Sequence, residues 1–401
     1  MRILVCPLDW GLGHATRCIP LVRSLLAGGH QVRIGAAGGG LRLLRAEFPG
    51  LDVFEFPGYT VRYARSPRWF LPVMLLQLPS VLLGMRSESR RLRAILTGHP
   101  ADLILSDGRY GVRSDTVPSI FITHQVFIRL PGRFPGSRLA EKALLAINLR
   151  RLRAFDRIWV PDVAGSDSLS GELSHGSGLP DNLEFIGPLS RFTLESVGVP
   201  EVLAGEAMPK VDILAVVSGP EPQRGLFEKI LRAKLSALGG TRVLIRGLPS
   251  DDMAPLPGLA SISPGGLTEF GHLPGDSLAR LFAAAEMVVA RSGYTTVMEL
   301  AGLGARAALL VPTPGQSEQE YLADHLEKSG AAVRMDQDAL DLVVAKERLR
   351  ERPGFRRWGR PADEVAVARA DGGTVKPGSA AAVTSPLRAF LSAHPLLRAA
   401  P

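Results

Sequence analysis

The sequence predicts an α/β chain made of two doubly wound domains in tandem, and three observations carry that expectation. Short apolar runs alternate with segments of helical length and period along most of the chain, the rhythm of parallel strands covered by helices. The rhythm lapses between Gly187-Pro188 and Met208-Pro209 and then restarts, as it would across a linker. A length of 401 residues suits two or three compact units at roughly 150 residues each.

In the first half Ile3–Val5 reads as a strand and Ala15–Leu26 as a helix. Gln31–Gly35, Asp52–Phe56, Leu103–Leu105, Ser119–Thr123 and Arg157–Val160 read as further strands, and Leu71–Leu96 and Leu139–Leu152 as helices. In the second half the strands are Ile213–Val217, Arg242–Ile245, Met287–Ala290 and Ala307–Val311. The helices are Leu226–Leu238, Ser277–Ala285, Thr295–Leu303 and Gln319–Ser329. After about Asp336 the pattern decays into Arg, Gly, Ala and Pro, with one helical stretch at Pro386–Ala393. The expected division is therefore a first domain over 1–188, a linker over 189–209, a second domain over 210–336 and a poorly ordered tail over 337–401. Two such domains in series are expected to face a cleft lined by the carboxyl ends of their strands, where folds of this kind bind ligands.

Composition narrows the function classes. With 46% hydrophobic and 21% charged residues the chain can bury large cores, which excludes a disordered or fibrous protein over most of its length. Two cysteines, Cys6 and Cys18, supply neither a disulfide framework nor a four-thiolate zinc site, and fit a reducing cytoplasm. A net charge of +8 favours acidic partners such as nucleotide phosphates or an anionic membrane surface. Nucleic acid is not an expected partner, because no aromatic-plus-basic RNA motif or zinc-finger spacing is present. The start of the chain has too short an apolar run for a signal peptide. The longest apolar stretch, Trp69–Met85, falls short of the ~20 residues of a membrane span and is broken by Pro72, Gln77 and Pro79. It reads as a buried or capping helix, or as a membrane-touching patch beside Arg62, Arg65, Arg68, Arg86, Arg90, Arg91 and Arg93.

The first chemical signal is Gly11-Leu12-Gly13-His14, directly after the first strand and opening the first helix. Gly11 and Gly13 let the backbone approach a ligand, and amides at a helix start attract anions. The string is not the dinucleotide fingerprint, whose third glycine would fall on Thr16. Two other strands end in Ser106-Asp107-Gly108-Arg109-Tyr110-Gly111 and in His124-Gln125. In a parallel sheet carboxyl ends share one rim, so His14, Asp107 and His124 should converge despite their distance in sequence. A histidine near its neutral pKa, oriented by a carboxylate, makes a general base.

The second half carries an anion site. The strand Met287–Ala290 runs into Arg291-Ser292-Gly293-Tyr294-Thr295-Thr296, and a helix continues through Val297-Met298-Glu299-Leu300. Small and hydroxyl residues at such a turn offer N–H and O–H groups to phosphate, reinforced by the helix dipole. Glu299, one turn on, can accept both hydroxyls of a ribose. On the same rim lie Ser218 and Gly219 after the domain's first strand, and the loop Pro312–Gln319, where Gln316 and Gln319 suit sugar hydroxyls. Asp336-Gln337-Asp338 spells an Asp-x-Asp metal string, but it lies beyond the last strand, and no metal or other cofactor is expected.

Over residues 1–335 the chain resembles a GT-B glycosyltransferase of the group related to the lipid II-forming N-acetylglucosaminyltransferase of peptidoglycan synthesis, family 28. The most specific block is Ala290–Leu300 continued by Pro312–Gln319, and Gly11–Arg17 matches a shorter family feature. Ser106–Gly111 and Ile122–Gln125 look like a separate branch of the group. The family's first glycine-rich loop is longer than here, and its loop after the second domain's first strand is richer in glycine than Ser218–Pro222, which leaves donor and acceptor open.

The resemblance implies a nucleotide-sugar donor, usually a UDP-sugar, held by the C-terminal domain as co-substrate. It implies Ser292, Gly293 and Thr295 at the diphosphate, Glu299 at the ribose and Gln316 and Gln319 at the donor sugar. Ser218 and Gly219 line the same site, His14 faces the acceptor, and Arg191 is placed near the hinge or the phosphates. The expected reaction is inverting, metal-independent transfer of a hexose or N-acetylhexosamine to a hydroxyl of a sugar or lipid-linked acceptor. His14, or failing it Asp107 or His124, acts as base, and the amides around Ser292–Thr296, with Arg291, stabilise the leaving diphosphate. Such an enzyme would work in the cytoplasm, peripherally at the inner face of the plasma membrane. Two rivals stand beside it. One is a nucleotide-sugar hydrolase, since a related hydrolase of sugar-nucleotide biosynthesis shares a Gly-x-Gly-His followed by Arg-Cys, as in Arg17-Cys18. The other is a non-catalytic nucleotide-sugar or lipid-binding protein.

Overall fold

A computed structural model describes residues 1–59, 70–130, 137–165, 167–192, 210–248, 259–305 and 307–355. The chain divides into two compact units, the first comprising Met1–Leu189 and the second beginning at Ser190. Ser190, Arg191 and Phe192, which fall in the expected linker, thus belong to the second unit.

The first unit contains β1 (Arg2–Pro7), α1 (Gly13–Ala27), β2 (Gln31–Ala36), α2 (Gly38–Glu47), β3 (Asp52–Glu55), α3 (Phe70–Gly98), β4 (Leu103–Asp107), β5 (Ser119–Ile122), α4 (Ser137–Leu152), β6 (Arg157–Val160) and β7 (Leu183–Phe185). These strands form one sheet in the order β3-β2-β1-β4-β5-β6-β7, and every pairing is parallel. β4 and β5 are buried along their whole length, which is why they read as unbroken apolar runs rather than alternating ones. Under the sheet, Leu4, Cys6, Phe56, Leu92, Ile104 and Val112 form one core cluster, while Phe121, Val126, Leu152, Phe155, Ile158 and Val160 form another.

The second unit contains β8 (Val211–Val216), α5 (Gln223–Ser236), β9 (Arg242–Ile245), β10 (Leu267–Phe270), α6 (Gly275–Ala284), β11 (Ala285–Ala290), α7 (Tyr294–Leu303), β12 (Ala308–Leu310), α8 (Ser317–Lys328), β13 (Val333–Arg334) and α9 (Leu342–Leu349). Its sheet is also parallel throughout, in the order β10-β9-β8-β11-β12-β13. In both sheets the strand order therefore reverses between the unit's first and fourth strands, β1 beside β4 and β8 beside β11. In a doubly wound sheet the loops leaving those strands splay to opposite faces and open a crevice at the carboxyl edge.

Five elements go beyond the sequence expectation. Helix α2 begins in three glycines, which have poor helix propensity; it forms because Leu41, Leu43 and Leu44 are buried against the first sheet. β7, β10 and β13 are short strands at or next to sheet edges. Helix α9 lies in the segment expected to be tail. Its start is capped by Asp341, which accepts from the amides of Val343 and Val344, and Leu342, Ala345 and Leu349 join the second core. Folded chain thus extends past the expected boundary at 336, through Phe355. The helical stretch at Pro386–Ala393 and Arg62, Arg65 and Arg68 lie outside the described residues.

Candidate active site

The reversal point of the first sheet carries a tightly connected polar cluster. β1 leads through Leu8–Leu12 to α1, and the loop is tied down at both ends. The Leu8 amide donates to the Asp107 carbonyl at 2.9 Å, Asp9 Oδ2 accepts from the Gly58 amide at 3.1 Å, and Trp10 Nε1 donates to the Tyr59 carbonyl at 2.8 Å. Gly11 adopts φ +100°, a conformation closed to most side chains, and turns the chain into α1. Gly13 opens that helix and His14 follows it.

His14, Asp107 and His124 come together here, and Arg17 joins them. Asp107 ends β4 and is fully buried. His14 Nδ1 lies 3.2 Å from Asp107 Oδ2, and its side chain keeps 22% exposure. Arg17 sits one turn after His14 on the same face of α1 and is itself buried. Its Nε lies 3.0 and 2.9 Å from the two Asp107 oxygens and its Nη2 donates to Oδ1. Nη2 also lies 2.9 Å from His14 Nδ1, and Nη1 lies 3.0 Å from His124 Nδ1. The Cys18 thiol completes the ring of donors around Asp107, at 3.6 Å from Oδ2.

The electrostatics follow from this geometry. Burial by itself would raise the Asp107 carboxyl, but the charge of Arg17 and then His14 outweigh it and hold the group well below the usual carboxylate range. Burial and then the Arg17 charge lower the His14 pKa, with Asp107 opposing them, so His14 is neutral at pH 7. Burial pushes the Cys18 thiol up, and Asp107 adds to that, so Cys18 is no thiolate nucleophile.

Space around the imidazole is provided by Gly108, which takes φ +74°; a Cβ there would stand 2.9 Å from His14 Cε1. The rest of the 106–111 motif is structural. Ser106 Oγ donates to the Arg109 carbonyl at 2.6 Å. Arg109, fully buried, pairs with Glu88 of α3 at 2.9 Å, donates to the Phe56 carbonyl at 2.8 Å and covers the Phe56 ring. Arg17, Gly108 and Cys18 were not among the site residues expected from sequence, although the spacing of Arg17 from His14 was a usable signal.

At the reversal point of the second sheet, Ser218 and Gly219 follow β8 while Arg291, Ser292 and Gly293 follow β11. Gly293 is the N-cap of α7 and has no side chain with which to cap it. Gly293, Thr295 and Thr296 are partly exposed. Gln319 is anchored by accepting from the Thr313 amide at 2.9 Å and donates to Gln316 Oε1 at 2.5 Å, so the two glutamines do meet.

Three charged or hydroxyl groups are committed internally. Arg291 is 1% exposed; its Nη1 donates to the carbonyls of Val311 and Pro312, its Nη2 to Gln337 Oε1 at 2.5 Å, and its guanidinium lies 3.8 Å from the Phe227 ring centre. The expected direct contact of Arg291 with a diphosphate is therefore corrected: the side chain is turned into the core. Ser292 is buried and its hydroxyl donates to the Gln319 carbonyl at 2.7 Å. Glu299 is buried against Arg191, whose Nε donates to Oε1 at 2.6 Å; burial raises the Glu299 carboxyl, and Arg191 counters it. Asp336 pairs with Arg334, and Gln337 holds Arg291, which gives the Asp-x-Asp string a structural use.

Comparison with known proteins bears on the family and the fold. Residues 275–352 match the glycosyltransferase family 28 C-terminal domain. An uncharacterised glycosyltransferase from Methanosarcina mazei is 25% identical over 84% of this chain and 86% of its own. The UDP-N-acetylglucosamine--N-acetylmuramyl-(pentapeptide) pyrophosphoryl-undecaprenol N-acetylglucosamine transferase of Methylorubrum populi is 35% identical over a shorter stretch, 33% of this chain and 32% of its own. Among solved structures, the calicheamicin glycosyltransferase CalG4 superposes with a TM-score of 0.53 at 16% identity, covering 100% of this chain and 99% of that one, a likeness of fold. Two parallel doubly wound units, a match to the family 28 C-terminal domain in the second of them and glycosyltransferase relatives over 84% of the chain relate this protein to the family 28 glycosyltransferases, with the GT-B fold.

Proposed function

We propose that the protein transfers a hexose or N-acetylhexosamine from a nucleotide-sugar, with UDP the expected carrier, to a hydroxyl acceptor with inversion at the anomeric carbon. The observation that carries this reading is the His14–Asp107–Arg17–His124 cluster at the carboxyl edge of the first sheet. A neutral, partly exposed imidazole beside a buried carboxylate can accept a proton and hold the resulting charge. Asp107 is unsuited to be the base itself, being buried and saturated by Arg17.

In the proposed step the acceptor O–H gives its proton to His14 Nε2 while its oxygen bonds to the anomeric carbon. The bond from that carbon to the phosphate oxygen breaks, and its electron pair leaves with the nucleoside diphosphate. Amides and hydroxyls at the start of α7, around Gly293, Thr295 and Thr296, receive the growing charge without a metal ion. Glu299 keeps Oε1 on Arg191 and turns its other oxygen to the ribose, and Gln316 and Gln319 bind the sugar, with Ser218 and Gly219 beside them.

Water as acceptor is the second reading, favoured by the contact of both Arg17 and Cys18 with Asp107, the pair shared with the hydrolase. Thermal-shift binding of UDP, dTDP, GDP and their sugars, followed by turnover with and without acceptor alcohols, separates the cases. Acceptor-dependent consumption of one nucleotide-sugar supports transfer; complete release of free sugar in buffer alone supports hydrolysis; binding without turnover under any condition sinks both.

A lipid-linked acceptor is proposed from the surface of the first unit. Helix α3 exposes Leu76 (81%) and Leu83 (61%) together with Leu78 and Leu82, and α4 exposes Leu139 and Ile147. Arg86, Arg90, Arg91 and Arg93 are exposed on α3 beyond the leucines. Among the described residues no helix is long and apolar enough to cross a membrane. Apolar side chains rimmed by arginine suit shallow docking on an anionic bilayer. Flotation with anionic liposomes at low salt is the expected result, and a protein that stays at the bottom of the gradient removes the argument for a lipid acceptor.

A further inference from the structure

The two histidines of the first site meet Arg17 in different ways. A guanidinium carries five donors, no acceptor, and does not give up its proton in proteins, so an imidazole nitrogen that binds it must offer a lone pair. His124 Nδ1 lies 3.0 Å from Arg17 Nη1, which places the proton of neutral His124 on Nε2 and disqualifies that nitrogen as a base. His14 Nδ1 has neighbours of both kinds, Arg17 Nη2 at 2.9 Å and Asp107 Oδ2 at 3.2 Å; with Nη2 donating to Asp107 Oδ1, the base reading puts the Nδ1 proton toward Asp107 Oδ2 and leaves the lone pair on Nε2. When His14 takes up a proton both its nitrogens carry one, and of these two neighbours only Asp107 can accept from Nδ1. The carboxylate that receives it is gripped by Arg17 through Nε and Nη2 and contacted by Cys18.

Resting on the reading of His14 as base, we propose that Arg17 is the positioning residue of this site: it fixes Asp107 against His14 and holds His124 as an Nε2–H donor, so that the two histidines have different roles. The charged and titratable groups around His14 are Arg17 on its own helix, Asp107 at the end of β4 and His124 after β5; Cys18 reaches the cluster through Asp107. Arg17 and Asp107 act in opposite senses on the His14 proton. Burial and then the cation keep the ring neutral before reaction, and the anion stabilises the imidazolium formed during it.

The test is long-range 1H–15N correlation NMR of the full chain labelled at histidine, titrated with acid, for wild type, R17K and R17Q. In wild type His124 is expected protonated at Nε2 and unprotonated at Nδ1, and His14 is expected to titrate below the free-histidine midpoint. In R17Q the His14 midpoint should rise by about one pH unit and the His124 signals should average between tautomers. R17K retains the charge but not the fork, so the His14 midpoint stays low while His124 averages. A wild-type His124 with its proton on Nδ1, or a folded R17Q whose His14 midpoint does not move, overturns the proposal. If R17Q does not fold, the wild-type tautomers and R17K decide. The base reading is tested apart, by turnover of UDP-N-acetylglucosamine: H14Q at the wild-type rate refutes the base while leaving the NMR result to judge Arg17.

Discussion

The reversal points of the two sheets are built on the same strand order and do opposite things with charge. In the first unit, His14, Arg17, Asp107 and His124 touch one another, and the histidine keeps a partly exposed ring. In the second, the charged side chains are spent within the unit: Arg291 on carbonyls and the Phe227 ring, Glu299 on Arg191. What stays partly exposed there is Gly293, Thr295 and Thr296 at the start of α7. The first arrangement suits moving a proton; the second suits receiving an anion on amides and hydroxyls. One topology can host both because function resides in the loops and not in the sheet.

The comparison can be broken most directly at His14. H14A should lower kcat for the consumed nucleotide-sugar by about 10²–10⁴-fold while leaving the thermal shift induced by UDP in place. A variant that loses binding together with turnover would show that the first site also holds the donor. On the other side, E299Q should raise the Kd for UDP about tenfold, near the value of one hydrogen bond to a charged group, with little change in the pH profile. An unchanged Kd measured by calorimetry would remove Glu299 from the ribose.

The pH profile sharpens the contrast further. His14 must be neutral to act as base, and its pKa lies below 6.5, so kcat/KM should be flat through neutrality and fall as pH drops through that lowered pKa. An acid limb centred above 6.5 in the rate of sugar consumption contradicts the assignment. The smallest effect on ligand is expected from R291M. It removes a buried guanidinium and leaves the Val311 and Pro312 carbonyls without that donor, so Tm should fall, yet the folded fraction should bind UDP within about twofold of wild type. A much larger loss of affinity would return Arg291 to the diphosphate.

Much of this was legible in the sequence. The buried parallel strands are apolar on both faces, so Leu103–Leu105 and Met287–Ala290 announce themselves without any partner being known. The strand ends carrying Asp107 and His124 also pointed to one rim. Less visible were elements whose local preference is weak. Helix α2 opens in Gly38-Gly39-Gly40 and is held by three buried leucines, and β13 is only Val333–Arg334, closed by pairing with β12. Helix α9 was hidden by its surroundings of Arg and Asp, since its three core-facing residues are recognisable only once a core exists for them.

Sequence alone therefore determined the alternation of strand and helix, the two-domain class, the family relationship and the positions at which side chains of the right chemistry leave the strands. Those properties depend on local period and on residue type, which a chain carries whatever its neighbours. Which of the side chains meet a partner, and which partner, was decided by tertiary structure. Arg17 and Asp107 are separated by 90 positions and Arg191 and Glu299 by 108, and only tertiary packing within each unit brings them within hydrogen-bonding distance. Arg291 shows the same rule in reverse. Its neighbours in sequence place it at the mouth of a helix, but the carbonyls after β12 and the ring of Phe227 draw its guanidinium inward, because a buried cation takes whatever acceptors the packed core provides.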